Sequence, residues 1–151
     1  MDQPERPPTT RRLFLDDDPL RSEAFLAVYP DAVCVETAEA CIARLAEAWD
    51  EVHLDHDLGG EVHVDPTRTD CGMEVVRWLS LTPRPHLRTA KFSIHTHNGM
   101  AAMMMSLQLK AAGYRVVVGP FDGGGWKPVV PRASLWARVS SWVRRGPGGS
   151  P

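Results

Sequence analysis

Residues 52–60 read Val-His-Leu-Asp-His-Asp-Leu-Gly-Gly, a short apolar strand that runs into two carboxylates and then into paired glycines. Residues 51–54 have the composition of a buried strand, and Gly59-Gly60 permits a sharp turn away from a sheet that side chains would resist. Residues 13–21, LFLDDDPLR, follow the same order: an apolar strand, then Asp16, Asp17 and Asp18, then Pro19. Proline suits the first turn of a helix, and Asp18 is placed to cap it. Two strands therefore end in acid, each followed by a turn or a helix start.

Outward from these stretches, short apolar runs alternate with segments of helical periodicity, the pattern of parallel strands joined by crossover helices. Residues 32–35 form a second strand leading to Thr37, the N-cap of a helix whose Ala38, Ile42, Leu45 and Trp49 share one face. Residues 61–71 are polar and aperiodic, the longest internal loop and a candidate functional lid. A helix over 72–81 follows. Strand 91–94 ends in His95-Thr96-His97-Asn98, with Asn98 capping a helix of alanine, methionine and leucine that stops at Gly113. A fifth strand, 114–118, delivers Gly119. The spacing of Leu135, Trp136, Val139, Trp142 and Val143 gives a final amphipathic helix over 133–144, expected to pack on the core. Residues 1–10 read as a disordered leader, 11–145 as one domain and 146–151 as a disordered tail.

With 151 residues and 43% apolar content, the chain has enough material for one core. A formal charge of -2 gives no general attraction to nucleic-acid backbones or anionic membranes, so any phosphate chemistry must come from a local site. Three cysteines without CxxC or other pairing suit a reduced, cytoplasmic compartment. No run approaches the roughly 20 apolar residues of a membrane span.

Ligands of open parallel sheets bind beyond the carboxyl ends of the strands. If strands one and three are neighbours, Asp16, Asp17, Asp55 and Asp57 converge, and each like-charge pair near ~4 Å costs about 4 kcal/mol at an effective dielectric of ~20. Two remedies present themselves: raised carboxyl pKa values, or a hard divalent cation, Mg²⁺ or Mn²⁺. His95 and His97, two apart, face the same side if strand geometry persists through Thr96, and either can ligate a metal or transfer a proton at a phosphoester. His56 has the opposite parity to Asp55 and Asp57 and reads as structural. His53, inside the strand, reads as buried. Met100 and Met103 to Met105 read as core filler. Cys71 has no neighbouring base in sequence to make it a nucleophile.

LFLDDDPLR at 13–21, VHLDHDLGG at 52–60 and GYRVVVGPFD at 113–122, taken in order, resemble the two-component receiver domain. The resemblance implies a flavodoxin-like, doubly wound five-stranded parallel sheet of order 2-1-3-4-5. It implies a Mg²⁺-binding pair at Asp16 and Asp17, a phosphoacceptor at Asp55, and a backbone carbonyl for the metal at Asp57. Two departures matter. Gly119 stands where receivers carry the lysine that holds the acyl phosphate, and Ile94-His95-Thr96-His97-Asn98 replaces a small hydroxyl residue, a role left to Thr96. With RTDCGMEVVRWL at 68–79, the chain is similar to the cyclic-phosphate processing receiver domain.

The resemblance thus implies a metal-dependent phosphoesterase acting on a cyclic nucleotide or RNA cyclic-phosphate end. Asp16, Asp17, Asp55 and Asp57 would hold the metal, His95 or His97 would protonate the leaving oxygen, and Thr96 and Asn98 would line the ligand site. Asp55 can alternatively be a covalent nucleophile. The rivals are a non-enzymatic receiver that is phosphorylated or metal-loaded at Asp55 and binds a protein partner, and a module that senses a cyclic nucleotide without cleaving it.

Overall fold

The computed structural model describes residues 9–119. The expected helix over 133–144, the tail and most of the leader lie outside the described residues. Five strands, β1 (Arg12–Leu15), β2 (Val33–Val35), β3 (Glu51–Leu54), β4 (Lys91–Ile94) and β5 (Arg115–Val118), form one sheet in the order β2-β1-β3-β4-β5. Every neighbouring pair is parallel. The helices between them are α1 (Pro19–Val28), α2 (Ala38–Arg44), α3 (Gly72–Leu81) and α4 (Gly99–Ala111), with a 3₁₀ turn at Pro85–Leu87. This is the flavodoxin-like receiver topology.

Alternation along the strands divides the core. Leu13, Leu15, Val52, Leu54, Phe92 and Ile94 join one cluster with residues of α2, α3 and α4. Phe14 points the other way and stacks on Phe25 of α1, with ring centroids 4.2 Å apart. Fully burying a side chain of this size contributes about 1.5–3 kcal/mol, so the sheet is held from both faces. His53, on the Phe14 face, is buried with its ring 4.9 Å from Phe25.

The helix starts follow the caps in the sequence. Asp18 accepts from the Leu20 amide at 2.9 Å, Thr37 from Ala40 at 3.1 Å, and Asn98 from Ala101 at 3.2 Å. One helix is shorter than its periodicity implies. α2 stops at Arg44, and Trp49 leaves the helical face to donate from Nε1 to the Arg44 carbonyl at 2.8 Å. An orphan carbonyl at the helix end is thereby satisfied, and the indole is still buried. The methionines also divide: Met105 is buried, whereas Met100, Met103 and Met104 are exposed. No described helix is long and apolar enough to cross a membrane.

Candidate metal centre

Strand pairing carries straight into the acids. The register sets Leu15 beside Leu54, the Asp55 amide donates to the Leu15 carbonyl at 2.9 Å, and the Asp16 amide donates to Val35 at 3.1 Å. Asp16 and Asp55 are therefore neighbours because β1 and β3 are neighbours. One oxygen from each of Asp16, Asp17 and Asp55 lies within 4.8 Å of the others. Asp16 and Asp55 are buried and Asp17 is half-buried.

The trio is not left to repel itself. Arg21, from the first turns of α1, places Nε 2.8 Å from Asp16 Oδ2 and Nη2 2.8 Å from Asp16 Oδ1, and Nη2 also reaches Asp55 Oδ2 at 3.1 Å. His95 lies 3.0 Å from Asp16 Oδ2 through Nε2. A carboxylate only accepts, so Nε2 carries the proton of this bond. The His95 ring stacks on Phe14 at 4.9 Å between centroids. Besides a raised carboxyl pKa or a bound cation, the fold supplies a third remedy for the crowded acids, an internal guanidinium. The signal lay in LFLDDDPLR: a helix that begins at Pro19 returns residue 21 toward the strand tips.

The two buried acids respond differently. Burial pushes the Asp16 carboxyl up, but hydrogen bonds from His95, Arg21 and the Asp18 amide outweigh it and hold the group below its usual range. Burial also pushes Asp55 up, the Asp16 charge adds to the push, and the opposing charges of His95 and Arg21 do not overcome it, so this carboxyl sits above its usual range.

Asp57, expected beside the trio, turns its carboxylate to the following loop. It accepts from the His63 and Val64 amides at 2.7 and 3.0 Å and from Asn98 Nδ2 at 3.2 Å. It does not join the group formed by Asp16, Asp17 and Asp55. Asp17 accepts from the Gly60 amide, so the loop is tied to both strand ends. Gly59 and Gly60 both have φ of +74°, the left-handed turn for which the paired glycines are suited. His56 is buried with Nε2 2.9 Å from the Val64 carbonyl, in keeping with a structural role. Cys71 is buried beneath the loop with Sγ 3.2 Å from the Arg68 carbonyl, and it does not line the cavity above the acids.

That cavity, about 370 Å³, is walled by Asp17, Asp18, Arg21, Asp55, Asp57, the 60–62 loop, Thr96 and His97. The two histidines part company at its edge. β4 ends at Ile94, so strand alternation lapses; His95 is buried against Asp16 and Phe14, while His97 is exposed on the rim. Thr96 accepts from the Asn98 amide at 3.2 Å, and Asn98 is spent on capping α4 and holding Asp57. Gly72 also bears on the site, through a contact that the sequence does not signal. A Cβ there would lie 2.0 Å from the Asp55 carbonyl oxygen, so α3 can start against the acid-bearing strand end only with glycine at that position.

Residues 11–111 match the family model described as the cyclic-phosphate processing receiver domain. No curated protein matches the chain in sequence. Among solved structures, the chain is similar to a two-component response regulator from Cytophaga hutchinsonii, with 12% identity, a TM-score of 0.54, and coverage of 87% of this chain and 97% of that one. It is similar to a CheY-like receiver domain from Methylobacillus flagellatus, with 17% identity, a TM-score of 0.50, and coverage of 87% and 97%. The Mn²⁺-bound form of response regulator Rcp1 gives 12% identity, a TM-score of 0.50, and coverage of 94% and 100%. At these identities the likeness is one of fold.

Proposed function

The chain belongs to the cyclic-phosphate processing receiver domain family, and on that premise we propose that it hydrolyses a cyclic phosphate or related phosphoester in the acidic cavity, using a divalent cation held by Asp16, Asp17 and Asp55. The observation that carries this reading is the convergence of three carboxylates from two strand ends within 4.8 Å of one another. Hard oxygen donors in that number suit Mg²⁺ or Mn²⁺. Arg21 supports the fit, because its guanidinium already serves as the cation that Asp16 and Asp55 require. The Mn²⁺ in the Rcp1 structure, on a similar fold, agrees with such a site.

A cation bound there supplies Lewis-acid polarisation of a phosphoryl oxygen and a more acidic water. The chain supplies the rest. His95, hydrogen-bonded to Asp16, fixes that carboxylate's orientation. Asp57, Asn98 and Gly60 hold the loop that walls the cavity. His97, which lines the rim of the cavity, would donate a proton to the departing ester oxygen. One water adds across one P–O ester bond of the ring, which opens to a phosphomonoester and a free hydroxyl. A cyclic nucleotide and an RNA cyclic-phosphate end both present this group. The free cysteines, Cys34, Cys41 and Cys71, fit a cytoplasmic setting.

The test is incubation of the purified chain with Mn²⁺ or Mg²⁺ and a panel of 2′,3′- and 3′,5′-cyclic nucleotides, read by chromatography of ring-opened products. Turnover that disappears in EDTA and in Asp55→Asn is expected. No turnover, together with a stable acyl phosphate on Asp55 from a small phosphodonor, would instead establish a phosphorylated signalling receiver.

A further inference from the structure

Arg21 raises a question that charge neutralisation alone does not answer. A structural counter-ion for buried acids is best placed away from solvent, yet Arg21 is 25% exposed in its side chain and forms part of the cavity wall, beside Asp55, Thr96 and His97. Among the described residues that line this cavity, it is the one lysine or arginine. The other ionisable groups on that wall are the carboxylates of Asp17, Asp18, Asp55, Asp57 and Glu61 and the imidazole of His97. A phosphoester entering such a cavity brings more negative charge, and it needs a donor that those carboxylates do not provide.

Among the described residues, the end of β5 does not provide one either. Gly119 follows Val118 there, and its amide is committed to the Ile94 carbonyl at 3.0 Å. Arg21 is thus the group with the right chemistry at the right place. A guanidinium presents five N–H donors in a planar fork that matches two phosphoryl oxygens at once. In the structure Nη2 donates to Asp16 and Asp55, and Nε lies 2.8 Å from Asp16 Oδ2 as an ion pair without a hydrogen bond. A divalent cation on the same carboxylates competes for the same lone pairs and lowers their attraction for the guanidinium. The arginine stem is long and flexible, so the head group can turn into the cavity without any movement of α1.

We propose that Arg21 is the phosphate-gripping residue of this cavity: it rests on Asp16 and Asp55 while they lack a metal, and it is released to the phosphoryl oxygens when a divalent cation takes those carboxylates. The inference rests on the metal-dependent reading above and names the residue by which that site recognises its substrate class. It makes two effects of opposite sign hang on one side chain. Removing Arg21 strips the acids of a competitor and should tighten metal binding, while the loaded site loses its grip on anions.

The experiment is calorimetric titration of wild type, Arg21→Gln and Arg21→Lys, first with Mn²⁺ alone and then, in saturating Mn²⁺, with inorganic phosphate. Arg21→Gln should bind Mn²⁺ about tenfold more tightly and phosphate at least about tenfold more weakly, the loss expected for a charge-assisted bidentate contact. Arg21→Lys keeps the charge without the fork; it should hold near wild-type Mn²⁺ affinity with an intermediate phosphate affinity, and its thermal melt controls for folding. Weaker Mn²⁺ binding in Arg21→Gln with unchanged phosphate affinity would make Arg21 a scaffold for the acids and overturn the proposal. Phosphate binding that depends on Arg21 in a chain that opens no cyclic phosphate would retain this inference and remove the hydrolytic reading. Turnover with the same KM in Arg21→Gln would do the reverse. A wild-type chain that binds neither Mn²⁺ nor phosphate overturns both.

Discussion

The tips of β1 and β3 present an aspartate at the same height on adjacent strands, and the two aspartates are 0% and 3% exposed. Their carboxyls are nevertheless displaced in opposite directions, Asp16 below its ordinary range and Asp55 above it. Burial is the largest influence on both and has the same sign for both, so it does not distinguish them. The difference lies in donors. Asp16 takes Arg21 Nη2 and the Asp18 amide on Oδ1, at 2.8 and 2.9 Å, and His95 on Oδ2, with Arg21 Nε in ion-pair contact at 2.8 Å. Asp55 takes a shared Arg21 nitrogen at 3.1 Å and the amide of the next residue, His56, at 2.7 Å. One acid is thus an anchored anion and the other an under-compensated one. That asymmetry suits a pair in which Asp16 stays fixed while Asp55 faces the chemistry.

Asp16→Asn attacks the better-supported side and should give the larger effect. It leaves Arg21 and His95 facing an amide, and breaking a buried pair of this kind costs about 3 kcal/mol. Urea denaturation at pH 7 in EDTA measures it; a loss below about 0.5 kcal/mol, the size of an ordinary surface substitution, would show that the donors around Asp16 do not stabilise the fold. The group's folded pKa is lowered, so its contribution is complete above the unfolded value of 3.8 and is lost as pH falls through the lower folded value.

Asp55→Asn tests the weaker side, with a smaller effect of opposite sign. Removing a buried charge with too few partners should stabilise the chain in EDTA at pH 7. A raised folded pKa means that the ionised group opposes folding above that pKa, and this handicap fades as pH falls toward and below 3.8. Stability curves for wild type and Asp55→Asn should therefore separate at neutral pH and meet in acid. Destabilisation at pH 7 would equate the two strand tips and erase the contrast.

Much of this arrangement can be read from residues in order. Apolar runs at 13–15 and 52–54 that terminate in acid locate the strands and their business ends, and Asp18, Thr37 and Asn98 mark three helix starts by cap chemistry that operates within three residues. What stays hidden depends on contacts made across the fold. Arg21 matters because a flexible side chain spans from α1 to both strands, a reach that periodicity does not encode. Gly72 matters because α3 starts in contact with the Asp55 backbone, an approach with no trace in local sequence. Asp57 repeats the parity of Asp55, but the loop offers it two amides, and it takes those instead. His95 and His97 separate because the ladder between β4 and β5 ends before them.

On the reading proposed above, Asp16, Asp17 and Asp55 share one divalent cation. Crystals soaked in Mn²⁺ and measured at the manganese absorption edge test it most directly, because anomalous scattering locates the ion without reference to any activity. A single anomalous peak in direct contact with oxygens of Asp16, Asp17 and Asp55 is the expected result. A map with no peak there, and with Arg21 still paired to Asp16 and Asp55 at saturating Mn²⁺, would contradict the account.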